Sequence, residues 1–271
     1  MRWPVLHCLQ SPLEHRELVW RLTERMVSGR YRGSLLGWGW SLANPLLMLA
    51  VYTFVFSQVF QARWGNVSTA EGTLNFAINL FAGLIVFNLF AECINQSPTL
   101  VLENPNYVTK VVFPLDVLSV VSVATALFHA LTSLVVLLVF QLIAGQGLSL
   151  SLFWLPMTWL PLLLGCLALS WLLAAAGVFL RDVGQVTGVA TSVLMFLSAV
   201  FYPVSALPER WQPLLQLNPL VQVIEQTRRV IVQGMPPSGL YLLVGIPLTL
   251  LGAELAHRAF CRSRRAFADV L

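Results

Sequence analysis

The sequence predicts an all-α integral membrane protein, and three observations lead to that fold class. Of the 271 residues, 57% are hydrophobic and only 10% are charged, whereas about 25% of residues are charged in a typical soluble domain. The mean hydropathy is +0.76. Between Asp116 and Arg181, 64 consecutive positions carry no Asp, Glu, Lys or Arg, which is room for two spans of about 20 residues and a turn. These features exclude a soluble globular protein.

Six charge-free apolar runs are long enough to cross about 30 Å of hydrocarbon, and we predict six transmembrane helices. Turn-forming residues such as Gly145-Gln146-Gly147 and Asn218-Pro219 separate them. An even number of spans places both termini on the same side of the membrane. The predicted spans are 35–60, 74–91, 117–144, 152–180, 183–207 and 234–253.

The distribution of basic residues predicts that both termini are cytoplasmic, because Lys and Arg flanking short loops are retained inside. With the N-terminus inside, twelve basic residues lie on the inner side and four on the outer side. The net charge of +4 is therefore attributed to membrane orientation, and no basic patch with interleaved aromatic residues favours nucleic-acid binding. The outer four are Arg63, Arg210, Arg228 and Arg229.

The first 34 residues are predicted to form a cytoplasmic segment with an amphipathic interfacial helix. They contain six Arg and no long apolar run, which is unlike a cleavable signal peptide. Leu18, Leu22 and Met26 recur at helical spacing, with charged residues mostly on the other face. A short solvated helix is the alternative. The predicted organisation is this segment (1–34), a six-helix transmembrane domain (35–260) and a basic cytoplasmic tail (261–271).

The motifs expected of an enzyme are absent from the sequence. Lys110 is the only lysine, and no phosphate-binding loop of the Gly-x-x-x-x-Gly-Lys-Ser/Thr type occurs. No zinc motif or nucleophile elbow is present either. The four cysteines show no paired or metal-binding spacing, so we expect no disulfide and no metal. These absences disfavour an enzyme, and we expect that the protein cannot hydrolyse ATP by itself through such a loop.

Few ionisable residues lie within the predicted spans, which disfavours an ion-coupled carrier acting alone. His129 is in the middle of the third span, and a hydrogen bond to a neighbouring helix is favoured over a proton relay. Glu92 is near the inner end of the second span. Glu254 lies four positions before Arg258, a spacing that predicts a local ion pair.

Aromatic residues follow helical spacing on the first two spans. A stripe of aromatic faces could line a conduit on which sugar rings stack, and lipid contact or helix packing is the alternative. The candidates are Tyr52, Phe56, Phe60, Phe76, Phe87 and Phe90.

Several sequence strings, in order along nearly the whole chain, resemble one family. The chain resembles the membrane subunit of bacterial polysaccharide and polyol-phosphate ABC exporters, and the first span is most similar to the O-antigen and teichoic acid type. The matching strings are 30–37 (RYRGSLLG), 44–46 (NPL), 51–56 (VYTFVF), 87–92 (FNLFAE), 104–115 (NPNYVTKVVFPL), 179–183 (FLRDV), 201–208 (FYPVSALP) and 217–220 (LNPL).

The resemblance implies a homodimer in the bacterial inner membrane, docked on two copies of a separate cytoplasmic ATPase that binds ATP and Mg²⁺. The implied substrate is a lipid-linked glycan. By the same resemblance, the loop 95–116 holds a coupling helix that seats in the ATPase, and residues between spans five and six form short re-entrant helices that act as an external gate.

The resemblance also supplies candidate site residues. For the ATPase-coupling loop these are Glu103, Asn104, Asn106 and Lys110. For entry of the lipid pyrophosphate they are Arg16, Arg21, Arg25, Arg30 and Arg32, which anionic headgroups could equally retain at the membrane. For the external gate they are Phe201, Tyr202, Pro203, Glu225 and Arg228.

Three other functions are the alternatives to this one. An ion-coupled carrier or channel would require several buried carboxylates or an inverted repeat, and a membrane-embedded glycan enzyme would require clustered acidic residues or a metal site. Neither feature is visible in the sequence. A related exporter for capsule, teichoic acid, a small glycolipid or a drug is the nearer alternative.

Overall fold

The computed structural model describes residues 7–55, 70–109 and 113–270, and in these ranges the regular structure is entirely helical. Twelve α-helices lie in these ranges, and four of them have eight residues or fewer. The helices, in chain order, are α1 (His7–Glu14), α2 (Arg16–Tyr31), α3 (Trp40–Phe54), α4 (Ala70–Gln96), α5 (Pro105–Thr109), α6 (Asp116–Ile143), α7 (Leu155–Phe179), α8 (Val183–Leu197), α9 (Gln212–Gln216), α10 (Pro219–Ile231), α11 (Gly239–Ser263) and α12 (Phe267–Val270).

Four of the described helical segments are long and apolar enough to span a membrane: Leu74–Thr99, Asp116–Ile143, Leu150–Phe179 and Gly239–Ala266. They correspond to the predicted second, third, fourth and sixth spans, so the helical membrane class is confirmed. The predicted first span is described as α3, which begins at Trp40 rather than at position 35, and its predicted residues 56–60 lie outside the described ranges.

The predicted fifth span, 183–207, is too long. Helix α8 ends at Leu197 after 15 residues, about 22 Å of helix. Ala199 has a φ of 52°, the only non-glycine residue with positive φ in the described chain, and this left-handed conformation cannot continue an α-helix. The last turn of α8 is tied down by side chains, since Tyr202 Oη donates to the Phe196 carbonyl at 2.8 Å and Asn218 Nδ2 to the Leu197 carbonyl at 3.2 Å.

Helix α4 lies at the centre of the subunit, with 83% of its most apolar 18-residue stretch buried. It packs against α6, α8 and α10, while α7 and α11 pack along each other. The short turn Ser97–Thr99, which follows α4, packs tightly on the end of α7. There Gly177 faces the backbone of Pro98 so closely that a Cβ atom would overlap the Pro98 carbonyl.

The N-terminal helices pack on different parts of this bundle. Helix α1 lies against α11, where Glu254 Oε2 accepts a hydrogen bond of 3.0 Å from the backbone N–H of Cys8. This N–H belongs to the first turn of α1 and has no partner within its helix. Glu254 also accepts from Arg258 Nε at 2.8 Å, which confirms the predicted ion pair. Helix α2 lies against α6, with Glu17, Arg21, Glu24 and Arg25 exposed.

Candidate functional site: a polar cavity and its flanking elements

A cavity of about 460 Å³ opens between α2, α3, α4 and α6. Its wall combines charged groups with side-chain amides, which is unusual in a chain with so few polar residues. The ionisable side chains of the wall come from α2, α4 and α6, and the amide side chains come from α3 and α4. The principal polar residues of the wall are Arg30, Asn44, Asn88, Glu92, Asn95 and His129.

Arg30, Glu92 and His129 form a hydrogen-bonded cluster at this cavity. Arg30 Nη1 lies 2.6 Å from Glu92 Oε1. His129 Nδ1 lies 2.9 Å and 3.0 Å from the two carboxylate oxygens of Glu92. Because a carboxylate only accepts, this geometry requires a proton on Nδ1. The expected hydrogen bond from His129 to a neighbouring helix is thus present, and its partner is Glu92.

Burial differs strongly within the cluster. The side chains of Glu92 and His129 are 16% and 15% exposed, whereas Arg30 is 55% exposed. Gln96 Nε2 donates a further bond of 3.3 Å to Glu92. The Glu92 carboxylate therefore accepts hydrogen bonds from Arg30 on α2 and from His129 on α6. It joins the end of α2 to the interior of the bundle. Burial also raises the pKa of the neighbouring Tyr31 hydroxyl on α2.

We expect Arg30 and Glu92 to be energetically coupled. In a double-mutant cycle of Arg30→Gln and Glu92→Gln, the coupling in the free energy of unfolding in detergent should be about 1 kcal/mol, because the pair is charged but Arg30 is half exposed. The matched cycle uses Arg32→Gln, whose side chain is exposed, and should couple to Glu92→Gln by less than about 0.3 kcal/mol. Equal coupling of both arginines would contradict a specific pair.

The remaining predicted arginines lie away from the cavity. Arg16, Arg21, Arg25 and Arg32 are all exposed, and Arg21 lies 3.8 Å from Glu17 on the same helix. The structure brings only Arg30 of this set to the cavity wall. The four others are exposed along α2 and just beyond its end, interspersed with the exposed Glu17 and Glu24.

The predicted coupling loop contains the short helix α5. Glu103 and Asn106 are exposed, and Asn104 Nδ2 donates to the Leu100 carbonyl at 2.9 Å. The rings of Tyr107 and Phe113 stack with their centroids 4.3 Å apart. Lys110 lies outside the described residues. The loop thus presents polar side chains outward while its backbone is held against the bundle.

The structure buries three of the four predicted aromatic residues that it describes. Phe76, Phe87 and Phe90 are 5%, 4% and 7% exposed and belong to the core of the subunit. Tyr52 on α3 is half-buried and packs against the same core. Phe56 and Phe60 lie outside the described residues. In this conformation, the described phenylalanines of the set contribute to packing, which is the alternative that their spacing left open.

The external segment is organised around a buried arginine. Arg228 on α10 is 1% exposed. Its guanidinium donates to the carbonyls of Asn79, Ala199 and Val200 at 3.0, 3.0 and 2.7 Å and to Glu225 Oε1 at 2.8 Å. Burial lowers the pKa of this guanidinium, and the Glu225 carboxylate opposes the shift.

Arg228 therefore fastens three elements together. It joins α10, the end of α8 and the middle of α4, and a Cβ on Gly83 would come within 2.9 Å of its Nη2 atom. Phe201 and Tyr202 are half-buried beside it, and the Phe196 and Phe201 rings lie 5.7 Å apart. Pro203 precedes a single turn of helix at Val204–Ala206. Glu225 and Arg228, three positions apart on α10, form an ion pair.

Sequence reasoning missed the amides of the cavity wall. Asn88, Glu92 and Asn95 are spaced i, i+4 and i+7 on α4, so they share one helix face. Asn88 and Asn95 are exposed although the helix around them is buried. This spacing was available in the sequence and would have marked the polar face of the second span. Another missed cluster is the buried pair of Asp116 and His257, whose Oδ2 and Nε2 atoms lie 3.4 Å apart.

Comparison with known proteins gives consistent matches. A family model described as ABC-2 type transporter matches residues 17–232. The O-antigen export system permease protein RfbA of Myxococcus xanthus is 28% identical over 98% of this chain and 99% of that relative. A protein of the same description from Klebsiella pneumoniae is 25% identical over 94% of this chain and 95% of its own length. The polysialic acid transport protein KpsM of Escherichia coli is 25% identical over 80% and 82%.

Proposed function

The chain belongs to the ABC-2 type transporter family, and on that premise we propose that it is the membrane subunit of an exporter of a lipid-linked polysaccharide. Full-length similarity to two O-antigen export permeases favours a glycan of the O-antigen type. The observation that carries the proposal in the structure is the polar cavity beside the interfacial helix, because an apolar substrate would not require it. A capsular polysaccharide is the second candidate, supported by the similarity to the polysialic acid transport protein.

The energy for export comes from a separate ATPase. The chain has no phosphate-binding loop and a single lysine, Lys110, so ATP and Mg²⁺ belong to the partner. Two copies of the ATPase would dock on two copies of this chain. Glu103, Asn104, Asn106 and Lys110 are the proposed contacts with the ATPase, because Glu103 and Asn106 are exposed on this loop and Asn104 is half-buried between them.

In this proposal α3 and α8 are the first and fifth of six spans, and both termini are in the cytoplasm of a bacterial cell. The faces of α8 and α3 support a second subunit beside this one. Val186, Val189 and Phe196 on α8 are 65%, 67% and 60% exposed, and α8 is too short to cross the membrane without help from its surroundings. A homodimer would cover such a face and close a path between the two copies.

Coupling between ATPase and membrane domain would run through two contacts. Closure of the ATPase dimer would push the loop at α5, and the tight packing of Pro98 on Gly177 would pass that movement to α7. Movement of α2 would pass through Arg30 to Glu92 on α4. Arg16, Arg21, Arg25, Arg30 and Arg32 would attract the pyrophosphate of the lipid carrier where it approaches α2.

On the outer side, the segment held by Arg228 is the proposed gate. Irregular backbone at membrane depth is tolerated only within protein or beside a water-filled cavity. Residues 198–203 meet that condition, because Arg228 satisfies carbonyls that would otherwise lack partners. Phe201, Tyr202, Pro203 and Glu225 complete the proposed gate. Its opening would require release or rotation of the end of α8 around Arg228.

Deletion of the gene tests the proposed function in cells. We expect lipid-linked glycan to accumulate on the cytoplasmic side and surface glycan to disappear, measured by labelling of intact and lysed cells with a glycan-binding lectin. Complementation by the wild-type gene should restore surface glycan. Normal surface glycan in the deletion strain would contradict the proposal, and the chemical analysis of the trapped polymer would distinguish an O-antigen from a capsular polysaccharide.

A further inference from the structure

Helix α4 carries two exposed amides in a setting where exposure is otherwise rare. Most of the helix is enclosed by the subunit, yet Asn88 and Asn95 are exposed on the face that also carries Glu92. Asn88 lies 14 residues into the described span that starts at Leu74, about 21 Å along the helix. An amide facing hydrocarbon at such a depth would lose its hydrogen bonds to water at a cost of several kcal/mol. This face of α4 therefore contacts water or a polar ligand and not lipid.

Unused hydrogen-bonding capacity in the wall lies in its amides, in the half-exposed guanidinium of Arg30 and at His129 Nε2, a buried atom without a hydrogen-bond partner among the described residues. In the described part of the chain, the side chains of Asn44 and Asn88 have no hydrogen-bond partner, and Asn95 uses only its Oδ1 atom, which accepts from Thr191 at 3.1 Å. Each free amide can donate twice and accept as well. Arg30 Nη1 and His129 Nδ1 already bind the Glu92 carboxylate.

A ligand that matches this wall has groups that both donate and accept. Sugar hydroxyls have that property, whereas phosphate oxygens at neutral pH chiefly accept and lipid tails do neither. The cavity, at about 460 Å³, lies within the usual range of small-ligand sites, about 300–1,000 Å³. Arg30 stands half exposed at the α2 side of the wall, where a negatively charged group next to the sugar would meet it.

We propose that the cavity between α2, α3, α4 and α6 is a binding site for the sugar units nearest the diphosphate of the lipid carrier. Asn44, Asn88 and Asn95 bind the hydroxyls, and Arg30 faces the diphosphate. The site lies within a single copy of the chain and selects carriers that bear a glycan over bare carriers. This inference rests on the proposed export function.

The experiment measures ATP hydrolysis by the complex of the chain with its ATPase in lipid nanodiscs. Two probes are added in turn: lipid-linked glycan purified from the deletion strain, and the same polyprenyl diphosphate without sugar. For the wild type, we expect half-maximal stimulation at a concentration at least tenfold lower with the glycosylated carrier. For the double variant Asn88→Leu, Asn95→Leu, this preference should fall to nearly onefold.

Two further variants make the result interpretable. Asn88→Ser with Asn95→Ser keeps polar but shorter side chains, so its preference should lie between those of the wild type and the leucine variant even if the latter assembles poorly. Gln216→Leu removes an exposed amide on α9, outside the cavity, and should keep the wild-type preference. Size-exclusion chromatography of each complex reports assembly.

The outcomes separate the two proposals. Retention of the wild-type preference by both the leucine and the serine variants would overturn the sugar site. If these variants assemble poorly but keep the wild-type preference, the amide face would instead be assigned to contact with the second copy of the chain. Equal stimulation of the wild type by both carriers would also overturn the site but leave export intact. Stimulation by neither carrier, with normal surface glycan in the deletion strain, would contradict the export function itself.

Discussion

Replacing Arg228 with methionine is expected to lower the free energy of unfolding in detergent by about 3–5 kcal/mol, the range observed when one partner is removed from a buried ionic network. The carbonyls of Asn79, Ala199 and Val200 would lose their donor, and Glu225 would lose its cation. Methionine has a similar length and no donor, so the packing changes little. The measurement is equilibrium denaturation followed by tryptophan fluorescence.

Two variants define the cause of that effect. Arg228→Lys keeps the charge but cannot reach four acceptors in a planar arrangement, so its loss should be intermediate. Arg229→Met is the matched control, because the neighbouring Arg229 makes a single exposed bond of 2.8 Å to the Pro236 carbonyl and should lose about 1 kcal/mol or less. Similar losses for Arg228→Met and Arg229→Met would show that the buried network does not hold the external segment.

Substitution of Gly177 by alanine is expected to destabilise the protein by about 1–3 kcal/mol and to reduce export more strongly than stability alone explains. The added Cβ would overlap the backbone of Pro98, and backbone cannot move aside as a flexible side chain can. The turn after α4 would be displaced from α7, and the proposed route from the coupling loop to the bundle would be disturbed. Unfolding in detergent and surface glycan per folded protein are the two readouts.

Gly165 provides the control for Gly177, since it lies on the same helix and a Cβ there would meet nothing within 4 Å. Gly165→Ala should be neutral or stabilising by up to about 1 kcal/mol, because alanine favours the helix over glycine. Gly177→Ala with wild-type stability and export would refute both the tight contact and its role in coupling.

The sequence predicts the presence of the long spans better than their ends. The predicted span 234–253 begins five residues before α11 (Gly239–Ser263) and ends ten residues before it does. The predicted span 117–144 differs by one residue at each end from α6, because the thickness of hydrocarbon sets the length of an apolar run. The end of α8 depends instead on Arg228, which lies 29 positions after Ala199 in the chain. No local pattern around Leu197 reveals that contact, so the fifth span was predicted ten residues too long.

The candidate site, too, could be predicted from the sequence only in part. Periodicity groups residues on one helix face, but it does not tell which way that face is turned in the bundle. Periodicity therefore makes Phe87 and Phe90 candidates for a conduit, with helix packing as the alternative, and the structure buries them and exposes Asn88 and Asn95. Glu92 and His129 were recognised separately. Their joint contact with Arg30 combines residues 62 and 99 positions apart and could be seen only in three dimensions.

Reconstitution tests the central claim most directly. The purified chain and its ATPase are placed in liposomes with the ATPase sites outside, and lipid-linked glycan from the deletion strain is included in the bilayer. After addition of ATP and Mg²⁺, the fraction of glycan protected from an added glycosidase should rise with time, and it should stay constant with the ATPase alone. No rise with the complete complex, in vesicles that hydrolyse ATP, would contradict the assignment of this chain as the membrane subunit of a polysaccharide exporter.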